Sequence, residues 1–221
     1  MKIRYRGHSC VEIQGDHHIL IDPDFTHEPD SGVEYICITH AHRDHIGRIT
    51  EVPAGMVLAS EDVCEIVETK GIPHERLHPV KPGEQIDNIK ILPGFSMVSG
   101  AWYALFSLMF RWRLPDPGGT PLSFLIEDEI TLLHIGDANE APLAEKPDLL
   151  CLPWRESPVR SESYKNTLVD MANAFAAQYI LPIHYDLKNT QADPREINGR
   201  INAVVLNGYD WYEFMNKKMV G

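Results

Sequence analysis

Hydrophobic and polar positions in the first fifty residues alternate in short runs that predict strands separated by turns. Residues 10–13 and 19–21 are two such runs, and Gly15-Asp16 between them predicts a hairpin turn. Residues 35–38 form a continuous apolar run, which is typical of a strand buried on both faces. This run ends directly before a cluster of histidines, so the pattern places that cluster at the end of a buried strand.

The middle of the chain changes from strand spacing to helix spacing and back. Ser60 is a candidate helix N-cap, acidic residues fill the first turn after it, and Gly71 is a suitable stop. Further strands are predicted at residues 89–92, 122–126, 130–133 and 149–152.

The last third of the chain carries one long amphipathic pattern. It predicts a helix over residues 163–178. One face of this helix is formed by Tyr164, Leu168, Met171, Ala172 and Phe175. A short strand at residues 180–181 leads to His184, and residues 203–214, with Asn207-Gly208 inside them, predict a hairpin. Strands followed by alternating helices and strands in each half of the chain predict an α/β sandwich.

Length and composition limit the class of protein. The 221 residues contain no repeat or linker, so we expect one domain spanning residues 1–221. The net charge of −12, without a Lys/Arg cluster, argues against a nucleic-acid partner and leaves a small-molecule substrate. No apolar run reaches the roughly 20 residues of a membrane span, and the start lacks a signal-peptide pattern. We therefore expect a cytoplasmic protein without stable membrane insertion.

The cysteines support the same expectation. Cys10, Cys37, Cys64 and Cys151 are widely spaced, and three of them lie in apolar, strand-like runs. Buried free thiols are expected, with a zinc–thiolate site as the alternative.

Four metal-capable side chains lie within six residues at His40, His42, Asp44 and His45. Zinc binds imidazole nitrogen and carboxylate oxygen at about 2.0–2.2 Å, and a strand-to-helix loop can turn all four towards one point. The alternative is a solvated loop in which Asp44 caps a helix that begins near Ile46. Capping accounts for the aspartate but not for three histidines beside it.

Four segments, taken in order, resemble the metallo-β-lactamase superfamily. Residues 39–47 resemble its H-x-H-x-D-H signature. Residues 7–10 together with 19–23 resemble the opening of the branch that contains L-ascorbate-6-phosphate lactonase and N-acylphosphatidylethanolamine phospholipase D. Residues 134–137 resemble that branch's H-x-G-D motif, and residues 181–185 resemble its P-x-H-Y motif.

This resemblance implies a fold, a ligand set and a reaction. The fold is a four-layer αβ/βα sandwich of the metallo-β-lactamase type. In the implied site, a first metal is bound by His40 and His42, a second by Asp44, His45 and His184, and Asp137 bridges the two. The implied cofactor is one or two divalent ions, zinc first, with manganese or iron as alternatives.

The implied activity is a metal-dependent hydrolase that cleaves a phosphodiester, ester or lactone bond of a small molecule. Metal ions lower the pKa of bound water and so supply hydroxide as the nucleophile at neutral pH. Asp44 would bind metal, orient that hydroxide and assist proton transfer, which makes it the candidate catalytic residue. The alternative is a catalytically degenerate metal- or ligand-binding protein on the same fold.

The sequence departs from the family pattern at the first metal. Nothing between Lys90 and Leu133 is a histidine, although the family places a third histidine of that site there. Three explanations stay open: substitution by Ser96 or Ser99, a histidine from elsewhere (His78 or His134), or loss of the chemistry. The aromatic segment at residues 100–112 is interpreted as core, as an apolar pocket wall or as a dimer surface, so a homo-oligomer is left open.

Overall fold

A computed structural model describes residues 1–94, 118–138, 146–157 and 161–220, and its strands form two mixed sheets. The first sheet contains β1 (Lys2–Gly7), β2 (Cys10–Gln14), β3 (His18–Ile21), β4 (Tyr35–Cys37), β5 (Met56–Ala59), β6 (Leu77–Pro79), β14 (Tyr212–Met215) and β15 (Lys218–Met219). The second contains β7 (Gln85–Ile86), β8 (Ile89–Pro93), β9 (Leu122–Glu127), β10 (Thr131–His134), β11 (Leu149–Pro153), β12 (Tyr179–Ile183) and β13 (Val204–Val205).

The helical elements of the described residues connect these strands. The α-helices are α1 (Arg43–Ile46), α2 (Glu61–Thr69) and α3 (Ser161–Phe175), and the 3-10 turns are Ile49–Glu51, His74–Arg76 and Pro194–Ile197. None of the helices in the described part of the chain combines the length and apolarity needed to cross a membrane.

Each sheet has a parallel half and an antiparallel half. The first runs in the order β15-β14-β1-β2-β3-β4-β5-β6, and its pairs from β3 to β6 are parallel. The second runs in the order β13-β12-β11-β10-β9-β8-β7, and its pairs from β13 to β10 are parallel. The loops that leave β3, β4, β10 and β12 carry the site residues described below. In open α/β sheets, ligands bind at the carboxyl ends of the strands.

Three apolar clusters define the layers. The central cluster joins the facing sides of both sheets, with Ile13 and Ile21 from the first and Leu132 and Leu181 from the second. A second cluster packs α2 on the outer face of the first sheet, and a third packs α3 on the outer face of the second. This order of helix, sheet, sheet and helix confirms the predicted αβ/βα sandwich.

Most predicted elements are present. β2 and β3 form the predicted antiparallel hairpin, and β4 lies between parallel neighbours, as expected of a buried strand. Helix α3 buries Leu168 and Phe175 as predicted but ends at Phe175, because Ala176 has a left-handed φ of 51°. The four cysteines are free and buried, which confirms the prediction for them.

The predicted hairpin over residues 203–214 is wrong. β13 pairs in parallel with β12 in the second sheet, whereas β14 pairs antiparallel with β1 in the first. The turn at Asn207-Gly208 therefore carries the chain from one sheet to the other. The hairpin of this region is β14–β15, whose turn residues Asn216 and Lys217 both have positive φ, at 48° and 62°.

The helix predicted after Ser60 is present, but the Ser60 hydroxyl does not cap it. Its oxygen lies instead 2.7 Å from Asp62 Oδ1 and 2.8 Å from the Thr120 carbonyl, two acceptors that share its single proton. Ser96, Ser99 and the aromatic segment at residues 100–112 lie outside the described residues.

Candidate metal centre

The six predicted ligands come together where strands of both sheets end. They form two groups, and within each group the potential metal-binding atoms all lie within 4.8 Å of one another. One group contains Asp44, His45, Asp137 and His184; the other contains His40, His42 and Asp137. Asp137 belongs to both groups, and the residues span sequence positions 40 to 184. Three segments thus meet at one place: the loop after β4, the turn after β10 and the residue that follows β12.

The loop after β4 brings four of these residues together through local geometry. Helix α1 begins at Arg43 with His42 as its N-cap residue, and it has only four residues. Asp44 therefore lies inside the helix and does not cap it, which contradicts the capping alternative. Its side chain is 29% exposed, while the neighbouring His45 side chain is fully buried. The Ser9 hydroxyl fixes this turn by donating to the Asp44 carbonyl at 2.9 Å.

The four-donor group contains buried atoms that find no hydrogen-bond partner in the described part of the chain. They are His45 Nε2, Asp137 Oδ1, His184 Nδ1 and His184 Nε2. Asp137 Oδ1 lies 2.8 Å from His184 Nε2 and 3.4 Å from His45 Nε2, without the angles of a hydrogen bond. Buried polar atoms in proteins almost always have a hydrogen-bond partner, so four atoms without one in a single group require an explanation. A divalent cation among these nitrogen and carboxylate atoms provides one, and the residues therefore fit a metal ion.

Asp22 orients His45 from behind. This fully buried carboxylate follows β3, and its Oδ2 accepts from His45 Nδ1 at 2.7 Å. Its Oδ1 accepts from the Thr39 backbone N–H at 2.7 Å, and its Oδ2 also accepts from the Thr39 hydroxyl at 2.8 Å. A carboxylate on one imidazole nitrogen directs the other nitrogen towards a metal and makes it a stronger ligand.

The charges around His45 attract a cation. Burial opposes a charged imidazole, but the carboxylates of Asp22 and Asp137 overcome it and raise the pKa of His45 to about 10. Burial likewise opposes ionisation of Asp137, yet His184 and His45 hold its pKa well below the usual range. The same negative potential that holds a proton on His45 favours a divalent ion in its place, because metal ligands bind as the proton leaves.

The three-donor group is built differently. His40 Nε2 and His42 Nδ1 face each other at 2.9 Å. Burial and the nearby His45 lower the pKa of His40 to about 3, which keeps this imidazole neutral. Within the described ranges of the chain, Asp137 is the single carboxylate of this group, whereas the other group has Asp44 as well.

The two histidines proposed as replacements for the missing ligand lie outside both groups. His78 is exposed on β6. His134 is fully buried, with Nε2 3.0 Å from the Ser9 carbonyl, and its Nδ1 accepts from the Gly136 backbone N–H at 3.2 Å. Neither histidine completes the three-donor group in the described residues.

Three contributors to the site were missed by sequence reasoning. Arg155, two residues after β11, donates from Nη2 to Asp137 Oδ2 at 3.1 Å. Asp22 lies within residues 19–23, which carry part of the family resemblance, but the sequence predicted no role for it. Gly118 lies against the histidine loop: its carbonyl accepts from the Ala41 N–H at 2.7 Å, and a Cβ there would lie 3.0 Å from His42 Cδ2. The Gly118-Gly119 pair was the available sequence signal, because a positive φ of 70° and this close approach favour glycine.

Comparisons with known proteins identify the family. The model of the beta-lactamase superfamily domain matches residues 2–184, so this chain belongs to that superfamily. A relative from Methanobrevibacter smithii, described as a UPF0173 metal-dependent hydrolase, is 27% identical and covers 97% of each chain. One from Sulfurisphaera tokodaii with the same description is 27% identical over 94% of this chain and 93% of its own.

Solved structures show the same fold. Igni18 from Ignicoccus hospitalis, described as a novel metallo hydrolase, has a TM-score of 0.70 at 19% identity and covers 96% of this chain and 98% of its own. The metallo-β-lactamase fold protein YhfI from Bacillus subtilis has a TM-score of 0.67 at 15% identity over 96% and 99% of the two chains. The match of the family model over residues 2–184 confirms the predicted superfamily, and these structures show the same fold.

Proposed function

We propose that this protein is a metal-dependent hydrolase that cleaves a phosphodiester, ester or lactone bond of a small molecule. The observation that carries the proposal is the group formed by Asp44, His45, Asp137 and His184, whose buried donor atoms lack hydrogen-bond partners among the described residues. Relatives that match over nearly their whole length are named metal-dependent hydrolases, which supports the same class of reaction here.

The residues of this group have separate tasks. Asp137, His45 and His184 are buried and would hold the ion, and Asp22 keeps His45 in the orientation of a ligand. The chemistry supplied at these residues by a divalent ion would be a lower pKa of bound water and polarisation of the bond under attack. Asp44 is the catalytic residue: its carboxylate is partly exposed, so it reaches both the ion site and incoming substrate. It orients the attacking water and carries its proton to the leaving group.

Zinc is the proposed ion, with manganese or iron as alternatives. Imidazole nitrogens and carboxylate oxygens in a compact group of four suit zinc. We propose that the four-donor group binds its ion more tightly than His40 and His42 with Asp137, because it has one more donor and a second carboxylate. Titration of the metal-free protein should then give one strong step and one weak step.

A second candidate follows from the same difference between the groups. The group of His40, His42 and Asp137 has three donors in the described residues instead of four. A degenerate, non-catalytic binding protein would also keep such an incomplete group. Asp44 argues for the enzyme, since its partly exposed carboxylate has little use where no water needs to be oriented.

The test combines metal analysis with an activity screen. Protein stripped with a chelator is reloaded with zinc, manganese or iron and assayed on an activated nitrophenyl phosphodiester, a nitrophenyl ester and a small lactone. Asp44→Asn keeps the side-chain size but removes the charge, and should lower the rate by about 100-fold or more. Asp16→Asn, the same change at an exposed position between β2 and β3, is the matched control and should keep full activity.

The outcomes separate the two candidates. Turnover that depends on added metal and falls in Asp44→Asn supports the hydrolase. A metal-loaded protein without any turnover that Asp44→Asn removes overturns the enzyme and leaves the binding protein.

A further inference from the structure

Arg155 brings a positive charge into the candidate metal centre. It lies two residues beyond the end of β11, after Trp154, which is fully buried and anchored by its indole N–H to the Asp193 carbonyl at 3.1 Å. The Arg155 side chain is 21% exposed, and its Nη2 donates to Asp137 Oδ2 at 3.1 Å. The anchored Trp154 holds the neighbouring backbone, and the bond to Asp137 holds the guanidinium.

The two oxygens of Asp137 therefore have different surroundings. Oδ1 faces His184 Nε2 and His45 Nε2, the nitrogens of the four-donor group. Oδ2 accepts a charge-assisted hydrogen bond from Arg155. Such a bond is among the stronger ones in proteins, and it withdraws negative charge from the carboxylate that both donor groups share.

This contact affects the three-donor group more than the other. Among the residues that the structure describes, Asp137 is the only carboxylate of that group, and His40 and His42 are its remaining donors. With Arg155 on Asp137, the single negative charge of the group is balanced before any ion binds. The four-donor group keeps Asp44, so it retains a net attraction for a cation.

We propose that Arg155 takes over the electrostatic task of a second metal ion. Its guanidinium holds Asp137 Oδ2 and supplies a fixed positive charge there, which weakens binding of an ion by His40 and His42. The protein consequently works with one tightly bound ion in the four-donor group. The inference rests on the metal binding proposed above and assigns Arg155 as a positioning residue, not a catalytic one.

Metal titration of arginine variants tests this proposal without any substrate. Zinc is added to metal-free wild-type protein and to Arg155→Met, and the binding steps are followed by calorimetry and by metal content after gel filtration. Arg155→Met should strengthen the second, weaker step by about tenfold or more, because it removes a hydrogen bond between charged groups. The first step should change much less, since His45, His184 and Asp44 remain.

Three further proteins make the result decisive. Arg155→Lys keeps the charge and should titrate like wild type, whereas Arg155→Gln, which keeps a donor without charge, should resemble Arg155→Met. Arg155→Gln also decides the outcome if Arg155→Met does not fold. Arg48→Met removes a guanidinium bonded to Glu51, away from both donor groups, and should leave both steps unchanged.

Several results would overturn the proposal. They are an unchanged second step in the neutral variants, an equal change in Arg155→Lys, or two equally tight steps in the wild type. Any of these leaves the hydrolase standing as long as Asp44→Asn abolishes turnover. Conversely, a protein that binds zinc as expected but shows no turnover contradicts the hydrolase and leaves the assignment of Arg155 intact.

Discussion

Two buried carboxylates of this protein, Glu12 and Asp137, are surrounded by positive and polar groups in different ways. Glu12 is fully buried on β2, and both of its oxygens accept hydrogen bonds. Arg4 Nε donates to Oε2 at 2.8 Å, while His18 Nε2 and the Asp30 backbone N–H reach Oε1 at 2.9 and 2.8 Å. The charge of Glu12 is therefore balanced by the protein itself.

Asp137, in contrast, has a hydrogen-bond partner in the described residues at only one of its two oxygens. One oxygen accepts from Arg155, but the other is buried and without a hydrogen-bond partner in the described residues, beside two imidazoles in the same state. A buried charge costs several kcal/mol unless it is paired, so loss of the paired Glu12 should destabilise the fold, whereas the unpartnered oxygen of Asp137 fits the proposed cation. The difference teaches that burial alone does not distinguish a candidate metal-binding carboxylate from a structural one; the hydrogen bonding of its oxygens does.

The largest expected effect is on folding at Glu12. Glu12→Gln removes the charge and leaves Arg4 and His18 facing an amide, so the free energy of unfolding should fall by about 3 kcal/mol in denaturant experiments. Zinc affinity should not change, because Glu12 belongs to neither donor group. The matched control is Asp30→Asn: this carboxylate also pairs with Arg4 but is 51% exposed, and its loss should cost less than about 1 kcal/mol.

The next effect is the stabilisation by metal at Asp137. An ion that binds only the folded state raises the free energy of unfolding by about 2.7 kcal/mol at 100 times its dissociation constant. Unfolding with saturating zinc and with chelator should differ by that amount in the wild type and in Glu12→Gln, and should hardly differ in Asp137→Asn. A gain of the same size in Asp137→Asn would remove the distinction between the two carboxylates.

A smaller effect, on zinc affinity, is expected at Asp22, which contacts the candidate ligand His45. Asp22→Asn replaces the carboxylate that accepts from His45 Nδ1 with a neutral amide. Zinc binding should weaken by about 10- to 100-fold, measured by competition with a chelating dye. Asp24→Asn is the matched control, because Asp24 contacts His8 Nδ1 at 2.8 Å and His8 is not in either donor group. Equal losses in both variants would mean that general negative potential, and not orientation of His45, determines the affinity.

The smallest expected effect is the pH dependence of the stability that Glu12 contributes. Burial tends to raise the pKa of Glu12, but the hydrogen bonds from His18, Arg4 and the Asp30 backbone prevail and lower it below 4.5. A carboxyl whose pKa is lowered by folding stabilises the protein above its unfolded pKa, and that contribution disappears as the pH falls through the folded pKa. The stability difference between wild type and Glu12→Gln should therefore narrow when unfolding is repeated between pH 7 and pH 3. A difference that widens over this range would show that the sign is wrong.

Local sequence patterns were sufficient for much of the fold and for part of the site. The alternation of apolar residues located β2 and β3, and helical spacing located α3, because these periodicities follow from backbone geometry over a few residues. His40, His42, Asp44 and His45 could be grouped for the same reason: they lie in one short loop. Asp137 and His184 entered the predicted set only through the family resemblance, since nothing local joins them to that loop.

What the sequence by itself determined was thus most of the predicted strands and helices and the types of the candidate donor side chains. The tertiary structure alone decided which elements meet. Asn207-Gly208 indicated that the chain turns, but only the pairing of β13 with β12 and of β14 with β1 shows that the turn joins two sheets. Arg155 beside Asp137, like Asp22 behind His45, depends on loops from different strands ending at one edge. Contacts between residues so distant in sequence arise only when the two sheets pack around their shared core, and no local pattern records that packing.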